Sequence, residues 1–201
     1  MSNRPGRFIG IRGERTVAED AGRVFRLDNE VLAFRFTATL SHRASTDPLE
    51  RLTSPERLRL WLGAAGLDPG PDITEQELAA GVRLREAIHR VGRAISRGRT
   101  WAAGDCGVLN ATSEGGRPAA VLTAGGRSWR LSGESPVRDA FSVVAQDAIA
   151  VFGTQDAGRI KTCDGPGCGG LFLDTSRGGN RRWCSMNTCG NRVKKLRMVA
   201  R

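Results

Sequence analysis

Four of the chain's five cysteines lie in one segment, CDGPGCGGLFLDTSRGGNRRWCSMNTCGNR, running from Cys163 to Arg192. They form two pairs of equal inner spacing, Cys163-x4-Cys168 and Cys184-x4-Cys189, with fifteen residues between the pairs. Two short-range pairs can deliver four thiolates to one point, and a tetrahedral four-sulfur set is a geometry that Zn2+ accepts without strain. The first pair brackets Asp164–Gly165–Pro166–Gly167, turn formers suited to converging two sulfurs. Disulfides would need an oxidising compartment, and a dithiol redox centre favours C-x-x-C beside a βαβ unit. Neither condition is met by this sequence. Iron also accepts four sulfurs, so an iron–sulfur cluster stays open. Four sulfurs leave no position for water or substrate, so the expected group is one structural Zn2+. Cys106 has no partner in sequence and is expected to be a buried, inert thiol.

Charge concentrates in the same region. The 201 residues carry +10, and the stretch from Arg159 to Arg201 holds ten basic residues against Asp164 and Asp174, a net +8. A zinc tetrathiolate contributes −2, which leaves roughly +6. Arg192, Lys194, Lys195 and Arg197 fall on the expected final helix, and Arg181 and Arg182 precede Cys184. These six are the candidate nucleic-acid contacts, through phosphates rather than bases. Val193, Leu196 and Val199 are left to pack inward. The competing account is a solvated helix face whose cations favour its C-terminus, on a chain whose arginine, alanine and glycine usage follows GC-rich coding. Aromatics are only 5% with no tyrosine, which weakens any base-stacking platform.

The elements that must position these groups are read from caps and periodicity. Residues 1–22 are polar and Gly/Arg-rich and read as a flexible basic arm. Leu32, Phe34, Phe36 and Ala38 alternate within Val24–Leu40, which predicts a strand or hairpin. Ser54 and Pro55 open a helix that Gly66 ends, with Leu58, Trp61, Leu62 and Ala65 on one face. Thr74 and Glu77 form a capping box for the longest helix, striped by Leu84, Ile88, Val91 and Ile95 and ended by Gly98. A short helical turn is expected over Asp105–Thr112, and a hairpin over Ala119–Leu131 around Gly125–Gly126. Ser135–Pro136 starts a helix with Val137, Phe141, Val144, Ala148 and Phe152 inward. After it, GLFLDTSRGGNRRW suits a β-hairpin about Gly178–Gly179, and a basic helix follows. The expected fold class is α+β: a mainly helical domain with small antiparallel β elements over 23–157, then a treble-clef-like zinc finger over 158–201. A unit of that last size rarely folds without a metal or disulfides.

With these residues in place, the C-terminal module resembles the CGNR zinc finger, named for the tetrapeptide that stands here at Cys189-Gly190-Asn191-Arg192. LFLDTSR and RRWCSMNTCGNR match the pattern of that family. LERLTSPERLRLWLGAAGL and LREAIHRV are similar to the ABATE domain that precedes such fingers in bacterial stress-induced transcription regulators. The resemblance implies zinc on Cys163, Cys168, Cys184 and Cys189, DNA as partner, and an N-terminal domain that senses a small-molecule effector. Family members tend to read L-x-L-D-F-x-N-T near the start of that domain. Here Arg35 stands where the acid is expected and Ala38 where the asparagine is.

No catalytic constellation, P-loop or dinucleotide fingerprint is evident, so no enzyme is expected. His42 and His89 are the only histidines, and His89 reads as a partly exposed helix residue. Trp61, Trp101 and Trp129 read as core, Trp183 as packing on the finger, and Asp174 as shaping its turn. The first fifteen residues carry charges and glycines with no apolar core, and no apolar run approaches the ~20 residues of a membrane span. A cytoplasmic protein without membrane contact is expected. Its function reads as a DNA-binding transcriptional regulator, expected to be a homodimer because such regulators commonly meet symmetric sites. The rivals are a zinc-stabilised protein–protein module and an RNA-binding protein.

Overall fold

The structure, a computed structural model, describes residues 21–22, 24–131 and 134–199. Its helices begin where local chemistry starts them. The Ser54 hydroxyl accepts the Arg57 N–H ahead of α2 (Pro55–Ala64), and Gly66 leaves it at φ +73°. Thr74 and Glu77 close a reciprocal capping box on α3 (Glu75–Ile95), two otherwise orphaned donors being satisfied at 2.8 and 3.2 Å. Gly98 at φ +60° lies just past its end. α4 (Ala103–Glu114) is a full helix where the sequence suggests only a turn. β3 (Ala119–Thr123) and β4 (Gly126–Arg130) form the expected hairpin, turning through Ala124–Gly125. The Ser135 hydroxyl accepts from Arg138 N–H at the start of α5 (Pro136–Phe152).

The strand expected over Val24–Leu40 is corrected. It holds a helix, α1 (Leu32–Thr37), followed by β1 (Leu40–Ser41), which pairs antiparallel with β2 (Leu49–Glu50). Ala33, Phe34, Phe36 and Thr37 are buried, a helical set of positions, while Leu32 and Ala38 are only half-buried. Phe34 and Phe36 satisfy both periods, so the aromatic alternation alone misleads. Packing decides: Phe36 sits 4.7 Å from Trp61 and 6.4 Å from Phe141, centroid to centroid, in the centre of the core. Trp61 is fully buried, Trp129 is half-buried, and Trp101 is 47% exposed rather than part of the core.

α3 forms the spine, packed against α1, α4 and α5 and, on its last turns, against the finger. A 3-10 turn (Gln155–Arg159) leads into β5 (Ile160–Thr162), which pairs antiparallel with β6 (Leu171–Leu173). The finger's hairpin therefore closes across the first cysteine pair and not about Gly178–Gly179. Ile160 and Leu171 belong to the main hydrophobic core, which fixes that pairing, while residues 174–183 wrap around Asp174 without strand pairing. Gly92 permits the contact, since a Cβ there would fall 2.5 Å from Leu171 Cδ1. A π-helical turn (Met186–Gly190) runs into α6 (Asn191–Val199). α6 buries nothing: Val193 is half-buried, while Leu196 and Val199 are 53% and 88% exposed, against the expected inward packing. The fold is α+β, mainly helical, with three small antiparallel two-stranded sheets among the described residues and a C-terminal cysteine finger. Among the described residues no helix is long and apolar enough to cross a membrane.

Candidate metal centre and basic helix

The four sulfurs of Cys163, Cys168, Cys184 and Cys189 are buried and lie within 4.8 Å of one another. The Cys184 sulfur is 3.7 Å from both Cys168 and Cys189. Tetrahedral Zn–S bonds of about 2.3 Å place sulfurs about 3.8 Å apart, so the quartet already has the dimensions of a zinc site. Backbone N–H groups of Gly165 and Cys184 donate to Cys163 Sγ at 3.4 and 3.3 Å, as suits a thiolate. Crowding by Cys163 and Cys168 pushes the Cys184 thiol up, and a dication among the sulfurs would reverse that by favouring the thiolate. The donor set and its spacing fit one structural zinc ion.

Local structure puts each sulfur in place. Gly165 passes so close that a Cβ would lie 3.0 Å from Cys189 Cβ, and Gly167 and Gly169 take positive φ to close the knuckle. The Ser185 hydroxyl accepts the Thr188 N–H and starts the turn carrying Cys189. Asp174 is buried beneath the loop that links the pairs. Its carboxylate accepts from Ser176 N–H and hydroxyl, from Arg181 N–H and from the Lys161 ammonium. Hydrogen bonds from Lys161 and then Ser176 hold it well below the usual carboxylate range, against the desolvation that opposes them. Asp174 organises this loop as expected, through more partners than a turn requires. Trp183 is half-buried against the cysteines.

The six basic candidates separate into different environments. Arg181 is spent inside the finger, donating to the Trp183 and Cys184 carbonyls at 2.8 and 2.6 Å and lying over the Phe172 ring. Arg192 turns towards the helical domain, its guanidinium 3.4 Å from His42 Nε2. Arg182 is exposed and pairs with Asp164 at 3.0 Å. Lys194, Lys195 and Arg197 are carried on α6, and none has an ion-pair partner among the described residues. Lys194 and Arg197, three residues apart, flank a shallow groove with Trp183 and Met198.

Several residues at the seam between finger and helical domain carry no signal in local spacing. Arg26 donates to the sulfurs of Cys184 and Cys189 at 3.5 and 3.7 Å. Burial opposes its charge, but Cys184, Asp28 and Cys189 outweigh it and raise its pKa above the ordinary value. Asn29 donates to the Leu171 carbonyl, and Ala44 N–H donates to that of Gly167. His89, read from sequence as partly exposed, is 7% exposed and meets the Gly169 carbonyl at 3.0 Å. Desolvation, with Arg43 nearby, lowers its pKa to about 4, so the ring is neutral and its Nε2–H donates. Arg43 and Arg85 grip Glu86 and Glu50 at 2.6–3.0 Å, fixing the 42–45 loop to α3. Arg35 lies in the field of Asp147, whose carboxylate takes the Ala33 N–H at 2.8 Å. Cys106 is half-buried rather than buried.

A helical domain closed by a four-cysteine finger that fits structural zinc defines the class. Residues 159–201 match the family described as "CGNR zinc finger", and residues 30–155 match ABATE, described as "Putative stress-induced transcription regulator". The ABATE match covers more than half of the chain, and the chain belongs to that family, with a CGNR zinc finger at its C-terminus. Neither matching family is an enzyme family. A search of curated proteins returned no match.

Proposed function

We propose that the protein is a DNA-binding transcriptional regulator whose structural zinc, on Cys163, Cys168, Cys184 and Cys189, holds a basic helix for phosphate contact. The observation that carries this reading is α6: Lys194, Lys195 and Arg197 project from it unpaired among the described residues, within a segment of net +8, roughly +6 with the zinc tetrathiolate. Cations without protein partners are free to displace counterions from a polyanion. Arg182 joins them, because an exposed pair such as that with Asp164 contributes little and exchanges readily for phosphate. Arg181 and Arg192 support the surface from within. The helical domain senses a small ligand and passes the signal across the seam.

A second reading follows from the docking itself. The finger packs on its own helical domain through β5, β6 and the first knuckle, so zinc serves an intramolecular interface as well. That interface takes Arg192 from α6 and leaves Lys194, Lys195 and Arg197 exposed, so the two roles do not compete.

The test is the double variant Lys194→Ala/Arg197→Ala in a duplex-DNA binding titration. Weaker binding to all sequences, with the salt slope reduced by about 1 for each residue, is expected. Unchanged affinity and slope, or tighter competition by RNA than by duplex DNA, would overturn the reading.

A further inference from the structure

Between the finger and the helical domain lies a cavity of about 260 Å³. Its walls come from the segment before α1, the β1 region, the knuckle and α6, so that Arg26, Arg51, His42 and Arg192 meet there over apolar ground from Phe25 and Leu40. Three of the four are arginines from segments far apart in sequence, a convergence that no packing requirement demands. Arg26 is directed at the sulfurs and Asp28. Arg51 is not committed: its Nε is buried without a hydrogen-bond partner, and its guanidinium has no ion pair among the described residues. Arg51 as a whole is half-buried, so its guanidinium lines the cavity with its Nε shielded from solvent, and a polar or charged group there would complete it.

His42 adds an independent sign. It is the only non-glycine with positive φ among the described residues, at +56°, and the Ser45 N–H and hydroxyl hold its carbonyl at 2.9 and 2.8 Å. Such strain persists where surrounding structure over-determines it, and it concentrates at ligand clamps and switches. His42 touches Arg192 of α6, so the cavity wall is continuous with the basic helix.

We infer that this cavity binds a small organic carboxylate, the carboxylate held by Arg51 and Arg192 and the hydrocarbon part lying against Phe25 and Leu40. Planar guanidinium groups match carboxylates in a fork geometry. Asp28 and the zinc–sulfur cluster balance the three arginines of the wall, so a phosphate dianion is disfavoured more than a monoanion. Drug-sized ligand pockets run to about 300–1,000 Å³, so the occupant is small. The inference rests on the regulator reading in its ligand-sensing part and supplies the site and ligand class. Occupancy would set the position of Arg192, and through it the presentation of Lys194, Lys195 and Arg197.

The experiment is titration of the zinc-loaded full chain with butyrate and benzoate by calorimetry, beside benzamide and inorganic phosphate. Duplex-DNA affinity is then measured with and without the better carboxylate. Saturation at one carboxylate per chain is expected, with benzamide and phosphate weaker. Arg51→Gln should weaken binding about tenfold or more while zinc content and melting temperature stay unchanged, because the Nε of that side chain has no hydrogen-bond partner among the described residues. The carboxylate should shift DNA affinity in the wild type and not in Arg51→Gln. Absence of saturable carboxylate binding, equal binding by Arg51→Gln, or preference for phosphate would each overturn the site. DNA binding that persists without a carboxylate response sinks this inference alone. Saturable carboxylate binding without any DNA binding sinks the DNA reading and leaves the site standing.

Discussion

At the scale of single residues, the finger is held to its neighbour by groups that change with pH. His89 is buried on α3 and donates to the Gly169 carbonyl, and burial lowers its pKa from 6.5 to about 4. Between those values the unfolded chain takes up a proton that the folded chain refuses. Stability from the neutral ring is therefore complete above about pH 6.5 and is lost as pH falls towards about 4, by up to about 1.4 kcal/mol per pH unit. Melting temperature against pH should be steeper over that window in the wild type than in His89→Gln. Parallel profiles would show that His89 does not titrate in this way. Glu86, held to about 2 by Arg43 and Arg85 despite its own desolvation, acts in a lower window. Its contribution is present above about pH 4.5 and fades as pH drops towards 2, so Glu86→Gln should cost stability at pH 6 and little at pH 2.5. Neither residue is visible as a seam contact in the sequence. Their partners are 80 and 43 positions away, and no local period reports such a distance.

At the scale of elements, the central contact is that of α3 with the finger's hairpin. Gly92 sits where a methyl group would press on Leu171, which is enclosed by the core. Gly92→Ala should destabilise the protein by about 1–3 kcal/mol in spite of alanine's better helix propensity, because overpacking outweighs it. Denaturant unfolding measures this, and adding Leu171→Ala should recover part of the loss. A stabilised Gly92→Ala would contradict the packing. The elements that are legible share a property: their signals are local. Ser54, Thr74 and Ser135 cap their helices within three residues, and the cysteine pairs announce themselves by spacing alone. α1 reads wrongly from sequence because Phe34 and Phe36 fit both a strand and a helix, and only the burial of Ala33 and Thr37 separates the two. β5 escapes notice because three residues paired across a knuckle carry too little pattern to register.

At the scale of the whole molecule, one core serves two parts. Structural zinc in isolated fingers contributes about 10–16 kcal/mol to folding. Here Ile160 and Leu171 are anchored in the helical core in addition. A strong chelator should therefore melt the region from Cys163 through α6 and lower the melting temperature, while the far-UV circular dichroism keeps the signal of α1–α5. Complete loss of helix on chelation would contradict this division. The cysteine quartet and the positive charge are readable from composition and spacing. The exposed apolar residues of α6 are not, because Leu196 and Val199 keep the helical spacing of Val193 but have no surface to cover them.

In the proposed function, zinc holds the helix that contacts DNA. The most direct test is duplex-DNA binding by metal-assayed wild-type protein and Cys184→Ser, titrated from low to physiological salt. One zinc per chain and a steep salt slope are expected in the wild type, with both lost in Cys184→Ser. A zinc-loaded wild type that does not bind DNA at moderate salt, or a zinc-free variant that binds with the same slope, would contradict it.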